Sequence, residues 1–278
     1  ARLQRDHPQS WRTVLEHGQQ PAPMTLRVNA RHSSREALQA RWQAAGIDSR
    51  PVGRQGLQLD RPVDVHQLPG FDDGDCSVQD AAAHLAAELM WDGLMHTASM
   101  RPDAAARTSW RVLDACAAPG GKTAHLLELA PSYGRAVQLL ALEIDATRIP
   151  RIQDNLQRMG LQARVECADA GDPSTWWDGQ AFDGVLLDAP CSASGIVRRH
   201  PDIPWLRREA DIGQLAQQQS RLLQALWPVL RPGGVLVYCT CSVFRAEGQE
   251  RIDSFLAHNT DARLRPSPGH LIPLAPGN

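Results

Sequence analysis

From residue 111 onward the chain alternates short aliphatic runs with amphipathic stretches. Runs at 111–115, 136–144, 162–167, 182–188 and 234–240 have the length and aliphatic content of strands covered on both faces. Helices are predicted between and after them, near 121–130, 147–159, 211–227 and 246–258. The second of these shows the pattern best: Ile149, Ile152, Leu156 and Met159 recur at helical spacing, Pro150 suits only a first turn, and Gly160 ends it. Pro232-Gly233-Gly234 reads as a turn feeding the fifth strand. Such alternation predicts a doubly wound α/β domain around a parallel sheet.

Residues 1–76 are patterned differently, with a strand at 25–28, a helix after the Ser33-x-x-Glu36 capping box, Gly46 as its stop, and short extended pieces rich in Pro and Gly. This predicts a small α+β domain over 1–76. A helix at 78–90 is expected to join it to a larger domain that occupies 77–278.

With 42% hydrophobic and 22% charged residues the chain can bury a real core, and a net charge of −2 means that any nucleic-acid contact must come from a local patch. The six cysteines form no CxxC pair and no Cys/His zinc spacing, so no metal site is expected, and reduced thiols in a cytoplasmic protein are. No apolar run approaches the roughly 18 residues of a membrane span, and nothing at the N-terminus resembles a signal peptide. The missing initiator Met and the Pro- and Gly-rich tail after residue 266 suggest a piece of a longer chain, expected to be monomeric.

The run Val112-Leu113-Asp114-Ala115-Cys116-Ala117-Ala118-Pro119-Gly120-Gly121-Lys122-Thr123 is an aliphatic strand, a turn of small residues and a helix start. At the carboxyl edge of the first strand such a turn lies where doubly wound folds bind nucleotides. Gly120-Gly121-Lys122-Thr123 also resembles the end of a phosphate-binding P-loop, with 185–188 as its magnesium strand, so a P-loop nucleotide hydrolase is the competing reading. That pattern needs Gly where Cys116 stands, and the dinucleotide pattern GxGxxG is absent. Adenosylmethionine has no phosphate and needs a carboxylate for its ribose hydroxyls. Glu143 at the end of the second strand, with Asp145 just beyond, is placed to supply it.

The fourth strand ends in Asp188-Ala189-Pro190-Cys191-Ser192 and the fifth in Tyr238-Cys239-Thr240-Cys241-Ser242, which puts two thiols at the same sheet edge as the glycine loop. A lone strand-end Cys is usually inert core. Two beside a candidate cofactor loop suggest covalent catalysis by a thiolate.

These residues resemble the bacterial 16S ribosomal RNA cytosine-5 methyltransferases of the Sun/Fmu/RsmB type, in the NOL1/NOP2/Sun family. The likeness is carried by 114–123, by 183–205 (DGVLLDAPCSASGIVRRHPDIPW), by Thr240-Cys241-Ser242, and in the small domain by Leu26-Arg27-Val28-Asn29 and Leu68-Pro69-Gly70-Phe71. It implies a Rossmann-like adenosylmethionine-dependent methyltransferase domain after the small α+β domain, with S-adenosyl-L-methionine as cofactor and RNA, 16S rRNA in this family, as partner. Cytosine carbon 5 is a poor nucleophile until a thiolate adds at carbon 6. The resemblance implies that Cys241 is that nucleophile and that Cys191 helps release the product. It also assigns cofactor contacts to Cys116, Ala117, Ala118, Pro119, Gly120, Gly121, Lys122, Glu143, Asp169 and Asp188. Asp188 is further expected to hold the N3 and N4 edge of the cytosine as the adduct forms, which requires its carboxyl to be protonated or to share a proton.

In this family a Pro-Glu-Glu-Asn run usually follows the nucleophile; here Arg245-Ala246-Glu247-Gly248 stands in its place. The family's NusB-like helical RNA-binding domain and closing hairpin are not found in these 278 residues. A noncatalytic RNA-binding module is therefore a third reading.

Arg198, Arg199, His200, Arg207 and Arg208 crowd one loop together with Trp205, an arrangement suited to phosphates and a splayed base. The alternative is a solvated loop that pairs with Glu209 and Asp211. Arg27, Arg31 and Arg35 of the small domain are the expected second RNA surface, with exposed helix-face charges as the equal alternative.

Overall fold

The computed structural model describes residues 1–272. After α1 (Arg2–Asp6) and α2 (Trp11–Gly18), the small domain runs β1 (Thr25–Val28), α3 (Arg35–Ala44), β2 (Ser49–Val52), β3 (Gly56–Leu59) and β4 (Cys76–Val78). Its antiparallel sheet has the order β2-β3-β1-β4. Leu26, Val28, Leu57 and Leu59 from the sheet pack on Leu38 and Trp42 of α3, all nearly fully buried. Each such leucine contributes about 2 kcal/mol through burial. The cap of α3 is Ser34, one residue past the expected Ser33: its hydroxyl accepts from Ala37 N at 3.1 Å.

The chain continues through α4 (Ala81–Met100), α5 (Pro102–Ala105), β5 (Ser109–Asp114), α6 (Gly121–Leu129), β6 (Ala136–Glu143), α7 (Ile149–Arg158), β7 (Arg164–Cys167) and β8 (Phe182–Asp188). It ends in α8 (Ile203–Leu206), α9 (Glu209–Leu226), β9 (Leu230–Cys239) and α10 (Gln249–His258). The second sheet has the order β7-β6-β5-β8-β9, and β5 through β8 pair in parallel. This is the doubly wound, Rossmann-like sheet expected from the pattern, with β5 at its centre.

Two elements differ from expectation. The helix predicted at 78–90 starts later and runs ten residues further, because Val78 is held in β4 by pairing with Leu26, and Asp80 caps α4 through Ala82 N. Pro232-Gly233-Gly234 is part of β9 and does not precede it. Phe182 N bonds to Val229 O, and Ala189 N to Cys239 O. Between these two anchors β9 uses three more residues than β8, so the Pro-Gly-Gly segment bulges, with Gly233 at φ +79°.

By packing, the chain forms two compact units. The larger holds Pro23–Asp188 and Leu226–Tyr238, hence the small domain and nearly all of the doubly wound sheet; the smaller holds Ala1–Ala22, Ala189–Ala225 and the segment from Cys239 onward. Within the larger unit Trp91 of α4 stacks between Trp110, 5.7 Å away, and Tyr133, 5.3 Å away, as core packing. Within the smaller unit His7 of the N-terminal segment bonds to Val243 O at 2.6 Å. No described helix is long and apolar enough to cross a membrane.

Candidate active site

In the larger unit the loop after β5 is pinned from two sides. Ala117 N bonds to Leu142 O, and Ala118 N to the Glu143 carboxylate at 3.3 Å, so the end of β6 fixes its near edge. Arg148 Nη2 donates to Ala118 O and Asn155 Nδ2 to Pro119 O, so α7 and the residue that precedes it fix its far edge. Gly120 has φ +97°, and a Cβ there would lie 3.1 Å from Ile152 Cα. Its glycine is thus required by backbone conformation and by the approach of α7, a different reason from the ligand clearance read from sequence.

Carboxylates dominate this loop. Glu143 is nearly buried and also accepts from Asp145 N at 3.0 Å; Asp169 accepts from Gly171 N. Lys122 Nζ donates to Asp188 Oδ2 at 2.6 Å. Burial first, then the charges of Asp114, Asp188, Glu143 and Asp169, push the Cys116 thiol well above its ordinary range. Cys116 is therefore an unreactive thiol. A surround of four carboxylates suits the sulfonium and ammonium groups of adenosylmethionine and opposes a polyphosphate. The P-loop reading fails on the same residues: Lys122 is engaged with Asp188, and Thr123, fully buried, donates to Asp114 Oδ2 at 2.6 Å.

Asp114 was not singled out in the sequence. It is fully buried, its Oδ1 has no hydrogen-bond partner, and burial raises its carboxyl to about pKa 6, with the Thr123 bond opposing. A carboxyl raised above its unfolded pKa of 3.8 destabilises the fold once ionised. The penalty is absent below pH 3.8 and complete above about pH 6. Asp114→Asn is thus expected to stabilise the ligand-free chain by about 3 kcal/mol at pH 7.5 and by nothing near pH 3.5. Urea unfolding at both pH values checks this; the same difference at each would refute it.

In the smaller unit Cys191 and Cys241 face each other with 3.3 Å between their sulfurs. Cys241 is exposed and Cys191 half-buried. The hydrogen bond with Cys241, then burial, raises the Cys191 thiol far above its ordinary range, so it stays protonated. The two loops meet at Gly195, whose N–H donates to Cys241 O at 2.8 Å and where a Cβ would lie 2.7 Å from that oxygen. Ala193, two residues past Cys191, is the non-glycine residue with positive φ among those described, at φ 60°.

The arginine loop belongs to the same unit. Arg198 and Arg199 are half-buried, and His200, Arg207 and Arg208 exposed. Arg207 Nε donates to Ser192 O at 3.2 Å, next to Cys191. Trp205 is 87% exposed, a large aromatic face open to a ligand. Glu209 pairs with Arg2, and Asp211 accepts from Arg208 N, which caps α9. Arg27, expected on an RNA surface, is instead fully buried: it pairs with both oxygens of Glu128 at 2.9 and 2.7 Å and donates to Gly121 O at 3.0 Å. Arg31 is exposed, and Arg35 donates to Gly53 O.

Residues 104–271 match a family model described as 16S rRNA methyltransferase RsmB/F, and residues 1–66 match one for the ferredoxin-like domain of RsmF/B-like methyltransferases. The chain is 46% identical to ribosomal RNA small subunit methyltransferase B of Vibrio cholerae over 94% of its own length and 57% of that protein's. It is 45% identical to the protein of the same description from Vibrio vulnificus, over 97% of its length and 61% of that protein's. It thus spans about three fifths of these relatives. Among solved structures, a methyltransferase homolog from Pyrococcus horikoshii is 27% identical with a TM-score of 0.75, covering 92% of this chain and 76% of its own.

Proposed function

The chain belongs to the 16S rRNA methyltransferase RsmB/F family, and from that premise we propose that it transfers a methyl group from S-adenosyl-L-methionine to carbon 5 of a cytosine in RNA, with 16S rRNA as substrate. The observation that carries this reading is the pair of thiols 3.3 Å apart, one exposed and one held protonated. When bound, adenosylmethionine supplies an electrophilic methyl group.

Residues 116–122 with Glu143, Asp169 and Asp188 hold the cofactor. Cys241 adds as thiolate to carbon 6 of the cytosine, and the ring gains enamine character at carbon 5. Asp188, bridged to Lys122, orients the base: its carboxylate accepts from the N4 amino group, and the proton shared along the Lys122 bridge is offered to N3. After transfer, carbon 5 carries both the new methyl group and its original proton. In the elimination step water takes the carbon-5 proton, its electron pair restores the carbon 5–carbon 6 double bond, the carbon–sulfur bond breaks, and Cys241 leaves as thiolate, with the Cys191 thiol donating a hydrogen bond to the departing sulfur. Asp188 and Cys191 are three positions apart in sequence, and Cys241 lies two beyond the end of β9, so adjacent strands deliver both sets of groups.

The arginine loop, with Arg198, Arg199, His200, Arg207 and Arg208, contacts RNA phosphates, and Trp205 stacks on a base extruded to reach the thiol. Residues 1–76 are the accessory RNA-binding domain and 77–278 the transfer domain of a monomeric, cytoplasmic enzyme.

The test is covalent trapping on RNA carrying 5-fluorocytosine, with adenosylmethionine present and the adduct mapped by mass spectrometry. Fluorine cannot leave as a proton does, so the adduct on Cys241 is expected to accumulate. An adduct on Cys191 would exchange the two roles, and none in the presence of bound cofactor and RNA would overturn the reaction.

A further inference from the structure

Glu247 lies in the segment that departs from the family's usual Pro-Glu-Glu-Asn run, and its side chain is fully buried. Burying a carboxylate is costly unless donors replace its water. Here it accepts from Ser192 N at 2.7 Å, Ser192 Oγ at 2.5 Å, Ser242 Oγ at 2.6 Å and, more weakly, Gln219 Nε2 at 3.4 Å. Ser192 directly follows Cys191, and Ser242 directly follows Cys241. Gln219 Nε2 also holds Pro190 O at 2.9 Å, on the other side of Cys191. Ser194 Oγ reinforces the junction, 3.0 Å from Ser242 Oγ and accepting from Val243 N. One carboxylate therefore joins the backbones on which both sulfurs are carried.

We propose that Glu247 is the positioning residue of the thiol pair: by clamping Ser192 and Ser242 it sets the distance and orientation of Cys191 relative to Cys241. The proposal rests on reading these cysteines as the reaction's two thiols, and it assigns Glu247 no contact with the reacting atoms. A displacement of about 1 Å between reacting groups costs on the order of 100-fold in rate. Glu247→Ala is thus expected to lower kcat about 100-fold, with KM for adenosylmethionine unchanged, since other residues form the cofactor cradle.

The deciding readout does not depend on methyl transfer. Diamide removes two protons and two electrons from paired thiols and is itself reduced to the hydrazine, and the Cys191–Cys241 disulfide formed is quantified by peptide mass spectrometry of the full chain. Wild-type protein is expected to cross-link this pair readily, and Glu247→Ala at least about tenfold more slowly. Should the alanine variant not fold, Glu247→Asp decides. It keeps the charge but withdraws the carboxylate by one methylene, so it cannot reach both serines, and cross-linking is again expected to slow. Wild-type cross-linking rates in either folded variant would overturn the proposal. Slowed cross-linking in a chain whose wild type transfers no methyl group would uphold the clamp and defeat the proposed function instead.

Discussion

Cys241→Ala is expected to lose methyl transfer by at least about 10⁴-fold, because the proposed reaction relies on the Cys241 thiolate to raise electron density at carbon 5 of the cytosine. Cofactor affinity should remain at the wild-type value, since the cradle residues are untouched. Cys191→Ala is expected to behave differently. Attack by Cys241 and methyl transfer proceed, but elimination loses its assisting group, and a loss of about 10²-fold or more is expected in turnover. RNA carrying ordinary cytosine should then accumulate as a covalent complex with the protein, already methylated at carbon 5, in this variant alone. Single-turnover assays with labelled methyl donor, followed by denaturing gels, read both effects. Activity of Cys241→Ala within tenfold of wild type would remove it as the nucleophile. Burst-phase transfer lost equally in both variants would mean that the thiols do not divide the work as assigned. The exposure of Cys241 and the protonated state of Cys191 make the assigned division the favoured one.

The second large effect is on stability. Arg27 and Glu128 form a fully buried, bidentate ion pair that links β1 of the small domain to α6 of the doubly wound sheet's layer. Removing one partner strands the other charge out of water. Arg27→Met is therefore expected to destabilise the chain by about 3–5 kcal/mol. Glu128→Leu should cost a similar amount, whereas the double replacement should recover most of the loss, since two apolar side chains leave no uncompensated charge. Urea unfolding of the four proteins measures this cycle. Additive losses in the double variant would show that the pair is not coupled. Arg27 also donates to Gly121 O in the first turn of α6, so Arg27→Met is expected to weaken adenosylmethionine binding as well, although Arg27 was expected on the RNA-facing surface.

The strands and most helices were legible along the chain because their signals are local. An aliphatic run such as 182–188 reads as a strand wherever it is placed, and it is found at Phe182–Asp188. The motifs were legible for the same reason: a small-residue turn after a strand, and cysteines shortly after strand ends, are neighbours in sequence before they are neighbours in space. The cap of α3, the start of α4 and the bulge in β9 were misread where pairing with a distant strand or a one-residue choice between serines settles the outcome.

What local pattern could not reveal was the partner of each polar side chain. Arg27 looked like a surface cation because its neighbours in sequence say nothing about Glu128, 101 positions away. Asp114 looked like one residue near the end of a strand, and its complete burial, which the strand pattern does not reveal, is the main cause that raises its pKa. Glu247 lay in a segment noted for departing from the family pattern, yet serines 55 and 5 positions away make it the hub of the thiol loops. Residue types and local periodicity determine which elements form and which chemistry is at hand. Burial and long-range hydrogen bonds determine which charges are sheltered and which thiol is accessible, because desolvation depends on every chain segment that closes around a group and not on the segment that carries it.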